Sequence, residues 1–215
     1  MFLQQLTDDP RFFFSVIITV VVSICVHELA HGVAAIWLGD RTPIESGHMT
    51  FNPIVHMGGM SLIMLILTGI SWGAMPINPS RLRGKYGGAI VALAGPFSNL
   101  LMAAIALTIV ALWRRFSHPP AGSESDAVHN VQYLLLIFGT VNLSLLFFNL
   151  IPVPPLDGSR ALAYFSNSYA RLMWNLQQNG QSAIGLIVVF IFIGPKLSHF
   201  ANVLGIEYFK LIRGW

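Results

Sequence analysis

The stretch Ser23-Ile-Cys-Val-His27-Glu28-Leu-Ala-His31 decides the fold of this chain. It places two imidazoles and a carboxylate inside an apolar run that extends from residue 12 to residue 38. At about 1.5 Å per residue, such a run is long enough to cross a hydrocarbon core of about 30 Å. Ionisable groups are costly within a membrane and usually serve a function there. We therefore interpret this helix as the centre of a functional site in a membrane protein.

The spacing of the three polar residues indicates a metal site. On a helix, positions four apart lie on one face, so His27 and His31 can bind the same ion. Glu28 lies about 100° further round the helix, where it can act as a general base towards water instead of ligating the metal. The pattern H-E-x-x-H on a helix is typical of zinc hydrolases. The alternative is a chance match in which the histidines are satisfied core residues.

The composition supports a membrane protein and excludes other classes. Hydrophobic residues make up 54% of the 215-residue chain and charged residues only 10%, against a usual charged share of about 25%. The net charge of +3 comes from scattered Lys and Arg, so we expect no nucleic-acid partner. The one cysteine, Cys25, excludes an internal disulfide, and its position about 200° from His27 on the helix favours a packing role.

Hydropathy and helix-stop residues predict a single membrane-embedded domain, residues 1–215, with the fold of an all-α polytopic membrane protein. We expect a bundle of four to five transmembrane helices, with long spans at about residues 12–38, 86–113, 128–150 and 183–200. Gly39 and Asp40 end the first span, and Gly194-Pro195 predicts a break in the last. Because the first run lacks a basic flank and a small-residue cleavage site, we interpret it as a retained span and not a signal peptide.

The region between the first two long spans is less regular. Residues 41–53 are more polar and suggest strands or a hairpin, with an exposed strand edge between residues 44 and 51. Residues 57–72 are apolar but short and rich in glycine, so they form either a short span or a re-entrant element. The following loop carries Arg81, Arg83 and Lys85, which the positive-inside rule assigns to the cytoplasm. A re-entrant element would place the N-terminus outside and the metal towards the cytoplasmic side.

A catalytic zinc usually has three protein ligands, so a third ligand is needed. Asp157 is our choice, because it directly follows a membrane span on a rigid, proline-rich turn. His48 and His56, in the polar stretch after the first span, are the competing candidates. The residues alone leave these alternatives open.

Three motifs together resemble the site-2 protease family of intramembrane zinc metalloproteases. They are His27-Glu-Leu-Ala-His-Gly32, Gly95-Pro-Phe-Ser-Asn99 and Asn149-Leu-Ile-Pro-Val-Pro-Pro-Leu-Asp-Gly158, in the family's order. The resemblance covers nearly the whole chain and is strongest to compact bacterial and archaeal members without PDZ or CBS domains.

The resemblance implies one zinc ion per chain, held by His27, His31 and Asp157, with Glu28 activating water. It also implies that Asn149 helps to position substrate or the oxyanion. His56 is a further substrate-binding candidate, although the family's Ile-Asp-Pro after this histidine is replaced here by Met-Gly-Gly.

The expected function is therefore hydrolysis of peptide bonds in or near transmembrane segments of membrane proteins, that is, regulated intramembrane proteolysis in the cell membrane. The expected partners are a transmembrane protein substrate, the lipid bilayer and a regulatory protein. An unwound substrate could pair with the strand edge at residues 44–51. The alternatives are a metal-binding membrane transporter and an inactive homologue that acts as a binding partner.

Overall fold

The computed structural model describes residues 2–117 and 125–213, in which helices are the only regular secondary structure and no β-strand occurs. Seven helices organise it. They are α1 (Pro10–Trp37), α2 (Pro53–Thr68), α3 (Gly87–Phe116), α4 (Asp126–Asn149), α5 (Asp157–Phe165), α6 (Asn167–Gln178) and α7 (Gln181–Val188, a π-helical turn Val189–Ile193, and Gly194–Arg213). Short turns occur at Phe2–Gln4, Gln5–Asp8, Thr42–Glu45 and Pro79–Arg81.

Four helices are long and apolar enough to cross a membrane, namely α1, α3, α4 and residues 184–212 of α7. The prediction of an all-α protein with four long apolar helices is confirmed. The last helix is longer than predicted, since it continues to Arg213, and the break predicted at Gly194-Pro195 does not occur. The N–H of Gly194 bonds to the carbonyl of Val189, five residues back, and this wider turn accommodates a proline that cannot donate.

The predicted strand edge at residues 44–51 is wrong. Thr42–Glu45 forms a helical turn with Pro43 in its first positions, and Gly47 has a φ of +71°, which breaks any extended run. The side chain of Asp40 accepts a hydrogen bond from the backbone N–H of Thr42 at 2.9 Å. This capping and the proline favour a turn over a strand.

Residues 53–78 fold back on themselves alongside α1. The end of α2, at Gly69, lies against Phe2 near the start of the chain. Residues 70–78 then run back along α1, with Gly73 against Glu28 and the side chain of Met75 beside Gly32. A helix and an extended segment thus form a hairpin whose two ends both lie towards the C-terminal end of α1.

The core lies where α1, α3 and α4 meet, with α7 packed on α3 and α4. A Cβ atom on Gly139 of α4 would lie 2.5 Å from Leu107 of α3, so only glycine permits this close approach of the two helices. The two apolar clusters are Ala103, Leu107, Leu143, Leu146 and Ala201, and Val20, Ile24, Met57 and Leu65.

Asp40 joins the end of α1 to the loop that leads into α3. One carboxylate oxygen accepts from the N–H and hydroxyl of Thr42, and the other accepts from the N–H of Asn78 at 2.7 Å. Burial opposes ionisation of this carboxyl, but the three hydrogen bonds outweigh it and lower the pKa of Asp40. The C-terminal end of α1, ten residues beyond His27, is thereby held in place.

We expect Asp40→Asn to lower the free energy of unfolding by about 1–3 kcal/mol, because an amide N–H would face the N–H of Asn78. Because the pKa of Asp40 is lowered by folding, its stabilisation is complete above about pH 4 and is lost as the pH falls further. Thermal unfolding in detergent at neutral and acidic pH measures both effects. Glu45→Gln, which removes only an exposed ion pair to Arg81, is the control and should change the melting temperature much less. Equal effects of the two variants at pH 7 would contradict this role of Asp40.

Candidate metal centre

Three side chains from two helices converge at one point. His27 and His31 lie one turn apart on α1, and Asp157 is the first residue of α5. The Nε2 atoms of the histidines are 3.0 Å apart, and Oδ2 of Asp157 lies 3.0 Å from that of His27 and 3.3 Å from that of His31. All three residues are buried, with exposed fractions of 8%, 4% and 6%. Among the described residues, these three form the one group of His, Cys, Asp or Glu side chains suited to a metal ion.

The donor set fits zinc in kind and in spacing. Two imidazole nitrogens and a carboxylate oxygen are the ligands that catalytic zinc sites commonly use. Tetrahedral ligands at about 2.0–2.1 Å from zinc would be separated by roughly 3.3 Å, close to the three distances between the donor atoms here. These three residues could therefore hold a zinc ion.

The second ring nitrogen of each histidine has an acceptor. Nδ1 of His31 lies 2.7 Å from the carbonyl oxygen of Val91, and Nδ1 of His27 lies 2.6 Å from Oδ1 of Asn99. Both acceptors belong to α3. A proton on Nδ1 satisfies each of these bonds and leaves the Nε2 lone pairs directed at the metal position.

Gly95 allows α3 to approach the two histidines. A Cβ atom at this position would lie 2.5 Å from Nε2 of His27 and even closer to Nε2 of His31. A side chain here would therefore occupy the space in which the metal is expected. Pro96 follows inside the helix, and the hydroxyl of Ser98 donates to the carbonyl of Gly95 at 2.7 Å. The motif G-P-x-S-N thus allows α3 to approach the two histidines and also supplies Asn99, the hydrogen-bond partner of His27.

The proline-rich turn after α4 directs Asp157 into the bundle. A Cβ atom on Gly158 would collide with the carbonyl oxygen of Leu150, so the turn folds tightly against the end of α4. Ser159, fully buried, bonds through its hydroxyl to the carbonyl of Leu156 at 2.7 Å. These contacts fix the start of α5 and with it the carboxylate of Asp157.

A cavity of about 410 Å³ opens beside the metal position. Its polar lining includes His27, Glu28, Asn99, Asn149 and several serines. Apolar side chains of α1, α4 and α7 and the extended residues 69–73 form the rest of its wall. Glu28 is buried and tightly enclosed, because a Cβ atom on Gly73 would lie 2.6 Å from its Oε1. The carboxylate of Glu28 thus lines the same cavity as His27 without belonging to the ligand group.

The two competing histidines lie elsewhere. Nε2 of His56 is 2.6 Å from the carbonyl oxygen of Thr50, and Nδ1 of His48 is 3.0 Å from that of Ser46. Neither is part of the described metal group or of the cavity wall. The structure therefore brings together His27, Glu28, His31, Asp157 and Asn149, but not His56.

Sequence reasoning missed the functional position of Asn99. Asn99 is fully buried and links His27 to α4 through a hydrogen bond from its Nδ2 to Oδ1 of Asn142 at 2.9 Å. The available signal was its position as an amide inside an apolar span, where polar side chains are costly and are usually paired.

Comparison with known proteins agrees with this site. The profile of peptidase family M50 matches residues 116–193, which contain α4, the proline-rich turn and Asp157. The Bacillus subtilis protein named "Putative zinc metalloprotease YwhC" is 35% identical over 149 residues. The chain belongs to peptidase family M50.

Two mycobacterial relatives align over more of the chain. Proteins named "Putative zinc metalloprotease Rip2" from Mycolicibacterium smegmatis and Mycobacterium tuberculosis H37Rv are each 29% identical, over 187 and 191 residues, or 82% of this chain. The match with YwhC covers 68% of this chain, and the matched part is 66% of the length of each of the three relatives. No solved structure matches significantly.

We expect Gly95→Ala to abolish high-affinity zinc binding, because the added methyl group would collide with both Nε2 atoms. Metal analysis of purified protein after dialysis measures the bound zinc. Gly59→Ala is the control, since a Cβ atom there meets nothing within 4 Å. A Gly95→Ala protein that retains stoichiometric zinc would show that the metal lies elsewhere.

Proposed function

We propose that this chain is a zinc-dependent endopeptidase that hydrolyses peptide bonds in or near transmembrane segments of membrane proteins. One observation carries the proposal: the buried carboxylate of Glu28 lines the same cavity as His27 but does not belong to the group of His27, His31 and Asp157. Zinc-dependent hydrolysis requires a buried set of metal ligands with a carboxylate beside it that does not bind the metal. A structural zinc site would have four protein ligands and no open position.

The chemistry divides between the metal and the side chains. Zinc held by His27, His31 and Asp157 would polarise the substrate carbonyl and make a water molecule more acidic. Glu28 takes a proton from that water while the water oxygen bonds to the carbonyl carbon. The carbon–nitrogen bond then breaks, and Glu28 returns the proton to the leaving amine. The surrounding apolar wall of the cavity excludes other water from the carboxylate.

The extended residues 70–73 are the substrate edge that we propose in place of residues 44–51. The hydroxyl of Ser61 binds both the N–H and the carbonyl of Trp72, at 2.8 and 2.7 Å. In an extended chain, neighbouring residues direct their backbone groups to the opposite side. Ser71 and Gly73 thus have N–H and C=O groups facing away from α2, and both residues line the cavity. An unwound substrate could pair there, next to Glu28.

Two further residues support this substrate path. Asn149 ends α4 on the cavity wall, where its amide can hydrogen-bond to substrate or to the developing oxyanion. The carbonyl of His56 accepts from the N–H of Ala74 at 2.9 Å. We propose that His56 acts on substrate through this bond, by holding the extended segment in register.

We propose that the metal site lies towards the cytoplasmic side of the cell membrane. Six basic residues cluster on the elements around the C-terminal end of α1, where Asp40 and Glu45 are the neighbouring acids: Arg41, Arg81, Arg83, Lys85, Arg160 and Arg171. The opposite end carries five basic residues: Arg11, Arg114, Arg115, Lys210 and Arg213. The positive-inside rule favours the first end as cytoplasmic.

Glu28→Gln should separate catalysis from metal binding. The substitution keeps size and polarity but removes the proton acceptor, so cleavage should fall by about 10²–10⁴ while zinc content and folding remain. Asp157→Asn is its counterpart and should lose zinc as well. Comparing membrane proteomes of cells that express the wild-type or Glu28→Gln chain identifies a substrate, and metal analysis accompanies the cleavage assay with all three proteins.

Near-normal cleavage by a zinc-loaded Glu28→Gln protein would contradict the peptidase mechanism. Loss of zinc in that variant would instead show that Glu28 is a ligand. Full zinc affinity in Asp157→Asn would remove the aspartate from the ligand set.

Topology gives an independent test. In a Cys25→Ser background, Lys85→Cys should react with an impermeant thiol reagent only from the cytoplasmic side of sealed vesicles. Asp8→Cys, at the opposite end of α1, should react only from outside. The reverse pattern would overturn the proposed orientation.

A further inference from the structure

We infer that Asn142 of α4 is a positioning residue of the metal site, because it fixes, through Asn99, which nitrogen of His27 carries the proton. The inference rests on the proposed function only in assuming that His27 ligates zinc through Nε2. Asn142 is neither a member of the ligand group nor a residue of the cavity wall, and it would act through the side chain of Asn99.

A continuous series of buried hydrogen bonds joins α1, α3 and α4. Nδ1 of His27 lies 2.6 Å from Oδ1 of Asn99, and Nδ2 of Asn99 lies 2.9 Å from Oδ1 of Asn142. Nδ2 of Asn142 donates to the carbonyl of Phe138 and to the hydroxyl of Ser23, both at 2.8 Å. Asn99, Asn142 and Ser23 are each 0% exposed, so their polar atoms depend on hydrogen bonds to one another.

The backbone carbonyl of Phe138 determines which atom donates and which accepts in each of these hydrogen bonds. A carbonyl oxygen only accepts, so the Asn142 atom beside it must be the donor Nδ2. Oδ1 of Asn142 therefore faces Asn99 and requires a donor from it. Asn99 then has only its oxygen left for His27, whose Nδ1 must carry the proton.

His31 has the same tautomer as His27, and no other side chain is needed to set it. Nδ1 of His31 meets the carbonyl of Val91 directly, and this acceptor also demands a proton on Nδ1. A backbone carbonyl thus sets the tautomer of each ligand histidine. It does so directly for His31, and through the side-chain amides of Asn142 and Asn99 for His27. In both, Nε2 is left as a lone pair for the metal.

Loss of Asn142 would remove the only described acceptor for the Nδ2 atom of Asn99. The Asn99 amide could then turn and present Nδ2 to His27. That arrangement favours a lone pair on Nδ1 and a proton on Nε2, at the position where the metal is expected. An amide on α4 would thereby control metal affinity from outside the ligand set.

Zinc affinity of the full-length protein in detergent, measured by competition with a chelator, tests the inference. We expect Asn142→Leu, of similar size, to bind zinc about 10–100-fold more weakly than wild type. Gln132→Met is the matched control, because Gln132 is a buried amide on the same helix that bonds to Arg114 instead. It should bind zinc as wild type does.

A double-mutant cycle distinguishes positioning from packing. Asn99→Asp presents an acceptor to His27 whatever its orientation, so in that background Asn142→Leu should change zinc affinity less than about twofold. A purely structural role of Asn142 predicts the same loss in both backgrounds. Equal losses, or an Asn142→Leu protein with wild-type affinity, would overturn the inference.

Two further comparisons keep the test decisive. If Asn142→Leu does not yield folded protein, Asn142→Ala takes its place in the wild-type and Asn99→Asp backgrounds. Affinity should fall in the first background and hold in the second, and equal losses in both would contradict the inference. Failure of wild-type protein to bind zinc would refute the proposed function itself, which is a separate outcome.

Discussion

The close approach of α1 and α3 is the constraint on which the site depends. Gly95 brings the backbone of α3 against the imidazoles of His27 and His31, and the carbonyl of Val91 accepts from His31 in the same contact. Without that approach the histidines would have no partners for their second nitrogens. Asp157 then completes the donor group from the turn after α4, so the site exists only where three segments meet.

Because this junction is buried, the loss of any one polar contact leaves a side chain without a hydrogen-bond partner. Within an apolar bundle an unpaired amide or imidazole has no water to bond, so His27, Asn99, Asn142 and Ser23 are satisfied by one another. The same chain ties α1, α3 and α4 together at the depth of the metal position. Fold stability and metal binding therefore draw on the same hydrogen bonds, and a substitution that breaks one is expected to affect both.

Local spacing allowed most of the fold and part of the site to be predicted. The i, i+4 pair His27 and His31 needs only a helix, and Gly39 ends that helix through bonds from Gly39 and Asp40 to the carbonyls of Ile36 and Ala35. Asp157 required the resemblance, because 130 residues separate it from His27. The pairing of Asn99 with Asn142 depends on how α3 packs on α4, which periodicity does not specify. The strand at residues 44–51 failed because a side chain, Asp40, caps a turn there.

The most direct test of this account is X-ray absorption spectroscopy at the zinc edge on the purified full-length protein. The expected spectrum is that of zinc with four nitrogen or oxygen ligands at about 2.0–2.1 Å, including two imidazoles. A sulfur ligand at about 2.3 Å would place Cys25 or a methionine at the metal and contradict the His27, His31 and Asp157 group. A spectrum with no imidazole contribution would contradict it equally.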